Sequence, residues 1–429
     1  MTAIAWLAVA IFAGVYVLIA TERVHRVAAA LGGAALVMGL GIVKSEDAFY
    51  SHETGIDWNV IFLLLGMMLV VGVVRRTGVF EYLAIRSAKL ARGRPFGVLV
   101  LLILVTAGAS ALLDNVTTVL LVAPVTLLLC DRLGLQPIPF LMAEALASNI
   151  GGAATLVGDP PNIIIASRAD LSFVDFLVHM LPIVLIILAV FIVMARWLFR
   201  DALHGDPTRA KSLMALDERE AITDRPLLLR SSIVLAAILL GFLLQRQTGV
   251  ALSVVALVGA GLLLLLSPLH ASDLVEDIEW ETLLFFIGLF ILVGALVHVG
   301  ALDRLAEALA GVTGGAVVPT LLVILMGSAV VSAVVDNIPY VTAMSPVVAS
   351  LIASNPELGR DGGLWWALAL GADLGGNATL VGASANVVIV GVAARNGLHI
   401  TFRTWLRYGI PTAVMSLAIS VPYVLWRYA

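Results

Sequence analysis

Cysteine is nearly absent. Cys130 stands alone in 429 residues, which excludes an intrachain disulfide, an iron–sulfur cluster and any multi-thiolate metal site. Charge is scarce too: 13% of residues are charged against 61% hydrophobic. No soluble core hides that much apolar surface, so lipid must serve as solvent. The seven histidines lack HExxH-type spacing, so a zinc enzyme has no support. No Gly-rich loop followed by Lys-Ser/Thr occurs, and ATP would have to act through a separate ATPase subunit. Nothing in a net charge of −4 calls for nucleic acid. The segment GDPPN at 158–162 is not a nucleotide signature. The sequons at Asn115 and Asn377 fall inside apolar sequence, at membrane depth.

What is present is a series of apolar runs, many long enough to cross about 30 Å of hydrocarbon as helices. They place helices at 3–20, 27–43 and 58–74, a pair at 96–130, a Gly-rich segment at 140–167 and a helix at 177–198. The first run has no basic residue before it and reads as a transmembrane helix, not as a signal peptide. After a polar stretch the pattern returns: 230–245, 249–267, 280–298, a pair at 316–353, a Gly-rich segment at 363–394, and 408–426.

The return is a duplication. Trp58, Gly66, Ser110, Asp114 and Asn115 each precede a matching Trp280, Gly288, Ser332, Asp336 and Asn337 by 222 positions. Gly151, Gly152, Thr155, Gly158 and Asn162 precede Gly375, Gly376, Thr379, Gly382 and Asn386 by 224. If each pair is a re-entrant hairpin, each half has five crossings, and an odd number turns the second copy upside down. The positive-inside rule agrees. With the N-terminus outside, 19 of 25 basic residues lie in the cytoplasm, leaving only Lys44, Arg168, Arg246, Arg304, Arg360 and Arg427 outside. The expectation is an all-α integral membrane protein of two inverted-topology repeats, each with five transmembrane helices and one re-entrant hairpin, and with broken helices meeting at mid-membrane. The first repeat spans 1–199, a cytoplasmic linker 200–228 and the second repeat 229–429. The chain is expected to be multi-pass in the plasma membrane, surrounded by lipid, with both termini extracytoplasmic.

Four polar clusters interrupt the apolar sequence: Ser110–Thr118, Ser148–Asn162, Ser332–Thr342 and Asp373–Asn386. An ionisable side chain in hydrocarbon is costly, so Asp114, Asp159, Asp336 and Asp373 must face protein, water or a cation. The glycines and Pro160-Pro161 cannot all sit in one continuous helix, and the break frees backbone groups near mid-membrane. Candidate substrate- or ion-binding residues are therefore Asp114, Asn115, Thr117, Thr118, Ser148, Asn149, Gly151, Gly152, Thr155, Asp159, Asn162, Ser332, Asp336, Asn337, Asp373, Gly375, Asn377, Thr379, Ser384 and Asn386. Na⁺ would fall among Asp114, Asn115, Asn149, Asp336, Asn337 and Asp373. A plainer alternative is that the Asp-Asn pairs cap helices and the glycines allow close packing. Glu144 reads as a water-facing interfacial residue. Residues 95–131, 133–167, 305–359 and 361–394 contain no Lys or Arg, so an acidic site is expected, suited to Na⁺, H⁺ or a neutral hydroxide. The halves differ where Asn149 matches Asp373, Ala153 matches Asn377 and Asp159 matches Ala383. That gives a pseudo-symmetric scaffold with an asymmetric site.

ALLDNVTT at 111–118, SNIGGAATLVGDPPN at 148–162, VVDNIPYVTAM at 334–344 and GGNATLVGASAN at 375–386 resemble the ion transporter superfamily, in the branch of ArsB-type arsenite/antimonite permeases, the P protein and NhaD-type antiporters. The resemblance covers nearly the whole chain. It implies a scaffold, a transport subdomain moving elevator-fashion, and often a homodimer. Carboxylate-carrying members have Ser-Asn-Thr where this chain has Ser148-Asn149-Ile150, which argues against a dicarboxylate. The resemblance favours secondary active efflux of a small inorganic substrate, arsenite or antimonite, in exchange for protons. Na⁺/H⁺ or Li⁺/H⁺ antiport is the alternative, and a carboxylate transporter, a passive channel and an intramembrane hydrolase come further behind. No cofactor is expected beyond a coupling H⁺ or Na⁺. With one thiol, As(OH)₃ would be held by Asn115, Asn149, Asn337 and Asn377.

Overall fold

The computed structural model describes residues 2–21, 23–51, 53–204 and 217–429; residues 205–216 of the expected linker lie outside the described residues. The described residues hold helices and no strand. The first repeat carries α1 (Ala3–Ala20), α2 (Arg26–Gly39), α3 (Trp58–Arg76), α4 (Val79–Leu90), α5 (Pro95–Ser110), α6 (Asn115–Leu133), α7 (Pro137–Gly152), α8 (Pro160–Ala169) and α9 (Leu181–Leu198). The second carries α10 (Arg225–Leu243), α11 (Leu252–Leu266), α12 (Trp280–His298), α13 (Ala301–Thr313), α14 (Val317–Ser332), α15 (Asn337–Ser354), α16 (Gly363–Gly375), α17 (Ser384–Arg395) and α18 (Phe402–Tyr428). Seven of them, α3, α6, α9, α10, α12, α15 and α18, are long and apolar enough to cross a membrane.

The helices sort into two groups. In the scaffold, α3 packs on α11 and α12 packs on α2, so each repeat's central helix lies against the other repeat. Gly66 and Gly288 make this possible: a Cβ at either would stand 2.9 Å from Ala256 or 2.7 Å from Ala30 backbone. Outer helices α9, α10, α11 and α18 turn Leu185, Trp197, Leu229, Leu265 and Trp426 outward, as lipid-facing surfaces require.

The second group contains the hairpins and broken helices. Antiparallel α5 and α6 meet at the tip 111–114, and α14 and α15 meet at 333–336. Each hairpin packs its first arm on a broken helix, α5 on α7 and α14 on α16. The breaks fall where glycine and proline required them, at 153–159 between α7 and α8 and at 376–383 between α16 and α17.

Two elements differ from the sequence-based expectation. Residues 79–90 and 301–313 form amphipathic helices α4 and α13 that brace the hairpins. They too are repeat mates at offset 222. Phe80, Ala84, Ile85 and Ala88 make the buried stripe of α4, and Leu302 and Ala306 begin that of α13. They escape an apolar-run reading because Glu81, Arg86 and Lys89 interrupt the one and Asp303, Arg304 and Glu307 the other. In addition, α2 stops at Gly39, since Gly41 takes a left-handed φ of +68°.

The described end of the linker, from residue 217, is pinned to the α3–α4 corner. Thr223 N donates to Thr77 O at 3.1 Å, and Lys89 Nζ bonds Glu218 Oε2 at 2.5 Å. That hydrogen bond holds the Glu218 carboxyl below its ordinary range. A depressed folded value means the contact is present at neutral pH and is lost as pH falls through that value. Glu218→Gln is expected to speed protease cleavage in the linker at neutral pH, whereas the wild type should reach the same rate only in acid.

Candidate functional site

Repeat symmetry is visible at the level of single hydrogen bonds. Ser110 Oγ donates to Ser148 O at 2.7 Å, and Ser332 Oγ donates to Ala372 O at 2.6 Å. Thr155 Oγ1 donates to Ala111 O, and Thr379 Oγ1 donates to Ala333 O. Asn162 Nδ2 bridges Gly152 O and Thr155 O across its break, and Asn386 Nδ2 bridges Gly376 O and Thr379 O. These bonds answer the carbonyls that the breaks release. Ser148 Oγ further bonds Asn115 O and Ser110 Oγ. Six expected binding residues, Ser148, Thr155, Asn162, Ser332, Thr379 and Asn386, thus hold hairpins and breaks together. Gly151 and Gly375 let α7 and α16 touch the backbone of the hairpins, and Gly152 faces Gly158 O.

The remaining candidates converge between the repeats. Asp114 and Asp336 cap α6 and α15, accepting from Thr117 N at 2.8 Å and Ile338 N at 3.0 Å. Capping therefore belongs to the aspartates, and it leaves each a second carboxylate oxygen. Asp336 Oδ2 accepts from Ser384 Oγ at 2.6 Å. The asparagines that follow reach inward: Asn115 Nδ2 donates to Asp159 Oδ2 at 3.0 Å, and Asn337 Nδ2 approaches the same oxygen at 3.4 Å. One buried carboxylate of the first broken helix is thereby gripped by the tips of both hairpins. Asn115 also approaches Asn149 Oδ1 at 3.3 Å, while Asn149 Nδ2 donates to Asn377 Oδ1 and Asn386 Oδ1, each at 2.9 Å. Chain segments nearly 240 residues apart are joined by these amides. Asn149 thus spends both amide hydrogens across the repeat interface, whereas Asn377 uses its Oδ1 and keeps a buried Nδ2 without a partner. Thr118 is buried with an unpartnered hydroxyl, and both oxygens of Asp373 are buried without a partner.

Tertiary structure brings one cation to the expected acidic site. Arg26, at the start of α2, lines the central cavity with Asp114, Asn115, Asp159, Asn337 and Ser384. Its guanidinium lies 5.7 Å from the Phe285 ring centroid and 3.4 Å from Ser384 Oγ. Glu279 arrives from the N-terminus of α12 and accepts from Thr117 Oγ1 at 3.2 Å and Thr282 Oγ1 at 3.0 Å. Sequence reasoning missed both, because it searched the hairpins and broken helices alone. The one signal for Glu279 was its place beside the repeated Trp280. The lining still has more carboxylates than cations. Its central space is about 40 Å³, and a wider vestibule of about 420 Å³ lies beyond Arg26, lined by His25, Glu281, Val335 and Asp336.

Glu144 is likewise corrected. It is 1% exposed, bonded to Thr126 Oγ1 on the facing helix, and its second oxygen has no partner. Packing of α7 against α6, which no local pattern announces, takes it out of water. Cys130 is buried beside it. Among the described residues no group of three or more His, Cys, Asp or Glu could hold a metal ion.

A citrate transporter family model matches residues 16–371. The chain is 54% identical to the 46 kDa membrane protein of Mycobacterium leprae, over 98% of both chains. It is 52% identical to an uncharacterized transporter of Mycobacterium tuberculosis, again over 98% of both. It is 33% identical to the human P protein, covering 98% of this chain and 59% of that one. In fold it resembles the YdaH transporter of Alcanivorax borkumensis, with a TM-score of 0.62 at 15% identity, over 85% of this chain and 84% of that one. Hairpins, broken helices, the buried site and these relatives agree: the chain belongs to the citrate transporter family of the ion transporter superfamily, and it is an integral membrane transporter rather than an enzyme.

Proposed function

We propose that the protein expels a small inorganic solute, arsenite or antimonite as the neutral hydroxide, in exchange for protons. The observation that carries this reading is the central cavity. It holds about 40 Å³, sets amides and carboxylates from both repeats among apolar side chains such as Leu64, Met68 and Phe285, and Asp114, Asp159 and Glu279 outnumber Arg26. A neutral hydroxide meets oxygen and amide partners there without charge repulsion. Citrate, named in the family's description, would bring several negative charges to a lining with one cation. Na⁺/H⁺ antiport is the second reading, favoured by the oxygens of Asp114, Thr117 and Glu279. The scaffold and the hairpin-bearing group are proposed to slide past each other as an elevator. The 222-residue inverted repeat supports such a two-state motion, and also counts against the channel and hydrolase readings. The basic-residue tally orients the vestibule beyond Arg26 toward the cytoplasm. A homodimer stays part of the proposal.

Proteoliposomes under an imposed pH gradient test the substrate, with arsenite, antimonite, Na⁺, Li⁺ or citrate added separately while internal pH is followed. Proton movement triggered by arsenite or antimonite alone is the expected result. A response to Na⁺ or Li⁺ alone would establish the second reading, and a response to citrate alone would overturn both. Cys130→Ala is expected to transport at the wild-type rate, because the thiol is buried on α6 away from the cavity lining. A dead variant would point to metalloid–thiolate chemistry.

A further inference from the structure

The two repeats build one corner twice, and only one copy is charged. In the first repeat the start of α5 and the end of α9 border an open groove of about 630 Å³, with Arg94, Phe96, Arg196, Arg200, Asp201 and His204 in its lining. The α9 region has its own repeat mate around α18: Phe173, Pro182 and Trp197 precede Phe402, Pro411 and Trp426 by 229 positions. Trp197 and Trp426 both turn outward, as residues at a membrane–water boundary do. The arginines do not recur. At offset 222 Arg94 matches Ala316, and at offset 229 Arg196 and Arg200 match Leu425 and Ala429. A corner that packs without them in one repeat does not need them for packing in the other.

Three arginines share the groove with one carboxylate. Asp201 Oδ1 lies 3.5 Å from Arg200 Nε, and its Oδ2 lies 3.6 Å from Arg407 Nη2. The side chains of Arg200 and Asp201 are 77% and 71% exposed, so water screens their pairing. Arg196 rests over the Phe96 ring, with Cζ 5.2 Å from the centroid. A guanidinium stacked on a ring keeps its in-plane N–H donors for an oxyanion. Basic residues at the linker-bearing membrane face satisfy the positive-inside rule wherever they stand. That rule does not account for three of them meeting from two helices in one groove.

Lipid reaches the groove along α9. Ile186, Val190, Val193 and Trp197 are all exposed, and their spacing of four, three and four residues puts them on one face of the helix. Arg200 follows three residues later. From Ile186 to Trp197 the helix rises about 16 Å, the depth of one leaflet's hydrocarbon. We infer that the groove binds an anionic phospholipid, its phosphate held among Arg94, Arg196 and Arg200 and an acyl chain laid along Ile186, Val190, Val193 and Trp197. Guanidinium groups suit a phosphate because each offers it two parallel N–H bonds. Free phosphate would meet the same arginines, but the apolar stripe running into them selects a lipid. A bound headgroup bridges hairpin arm α5 and outer helix α9 and so stabilises their contact. None of these residues lines the central cavity, so the lipid site stands whatever the protein transports.

Thermal melting of the full-length protein in neutral detergent, with phosphatidylglycerol, phosphatidylcholine or inorganic phosphate added separately, tests the site. Phosphatidylglycerol alone is expected to raise the melting temperature by several degrees. The triple variant Arg94→Gln, Arg196→Gln, Arg200→Gln is expected to lose that rise. A second triple variant, Arg23→Gln, Arg395→Gln, Arg403→Gln, removes as much charge from the face to which the basic-residue tally assigns all six, and it is expected to keep the rise. An equal rise with inorganic phosphate would show an anion site that takes no lipid, and equal loss in both triple variants would show a diffuse surface potential; either result overturns the proposal. Native mass spectrometry of the wild type needs no variant. Phosphatidylglycerol is expected to be retained roughly tenfold or more over phosphatidylcholine, and equal retention would overturn the site.

Discussion

Alanine at Gly151, or at its mate Gly375, is expected to lower the melting temperature of the detergent-solubilised protein by several degrees and to leave little transport. A Cβ at Gly151 would lie 2.2 Å from Ala107 O, and one at Gly375 would lie 2.5 Å from Ala329 Cα and O. These are backbone atoms of the hairpin arms, which cannot rotate away as a side chain would. To admit the methyl group, α5 must part from α7, or α14 from α16. The same movement stretches Ser110 Oγ to Ser148 O, or Ser332 Oγ to Ala372 O. Overpacking costs about 1–3 kcal/mol and each strained hydrogen bond about 1 kcal/mol more. Gly108→Ala is the control, because nothing lies within 4 Å of its added Cβ. Equal melting of all three variants would refute the close-packing account.

Asp159→Ala is expected to give the largest loss of flux. Its Oδ2 accepts from Asn115 and Asn337, one from each hairpin tip, so it is the point at which both tips are held in register. Truncation leaves two buried amides without their shared acceptor, and a buried donor left unsatisfied costs about 1–3 kcal/mol. Even one such loss corresponds to roughly a 10–100-fold reduction. Asp159→Asn keeps an acceptor oxygen and the shape but not the titratable carboxyl. It is expected to fold as the wild type does and still transport slowly. Wild-type flux in Asp159→Ala proteoliposomes would show that the shared carboxylate has no part in transport.

Duplication alone left Ala383 opposite Asp159 and Asp373 opposite Asn149, and the structure shows the consequences. At one position the acid is bonded by both hairpins, and at the other it is left without a donor. The asymmetry of the site is thus carried by single-residue differences on an otherwise symmetric frame. Because the two acids lie within electrostatic reach of each other, a charge change at one is felt at the other.

By itself the sequence determined the membrane class, the duplication, the hairpin tips and the places where two helices break. Each is written in residue types whose constraint is local: apolar length sets a span, Gly and Pro stop a helix, and a buried Asp demands a polar setting. It likewise carried the repeat offsets, because the same glycines and hydroxyls must recur wherever the same backbone contact recurs. Tertiary structure alone decided that Arg26 and Glu279 enter the cavity, that Glu144 is sealed against Thr126, and that Asn149 is spent on Asn377 and Asn386. Those contacts join segments far apart in the chain, and Arg26 and Glu144 lie on helices whose local pattern gives no direction to the side chain. Which acid is held by donors and which lacks one depends on how two inverted copies interlock, and no single stretch of sequence contains that.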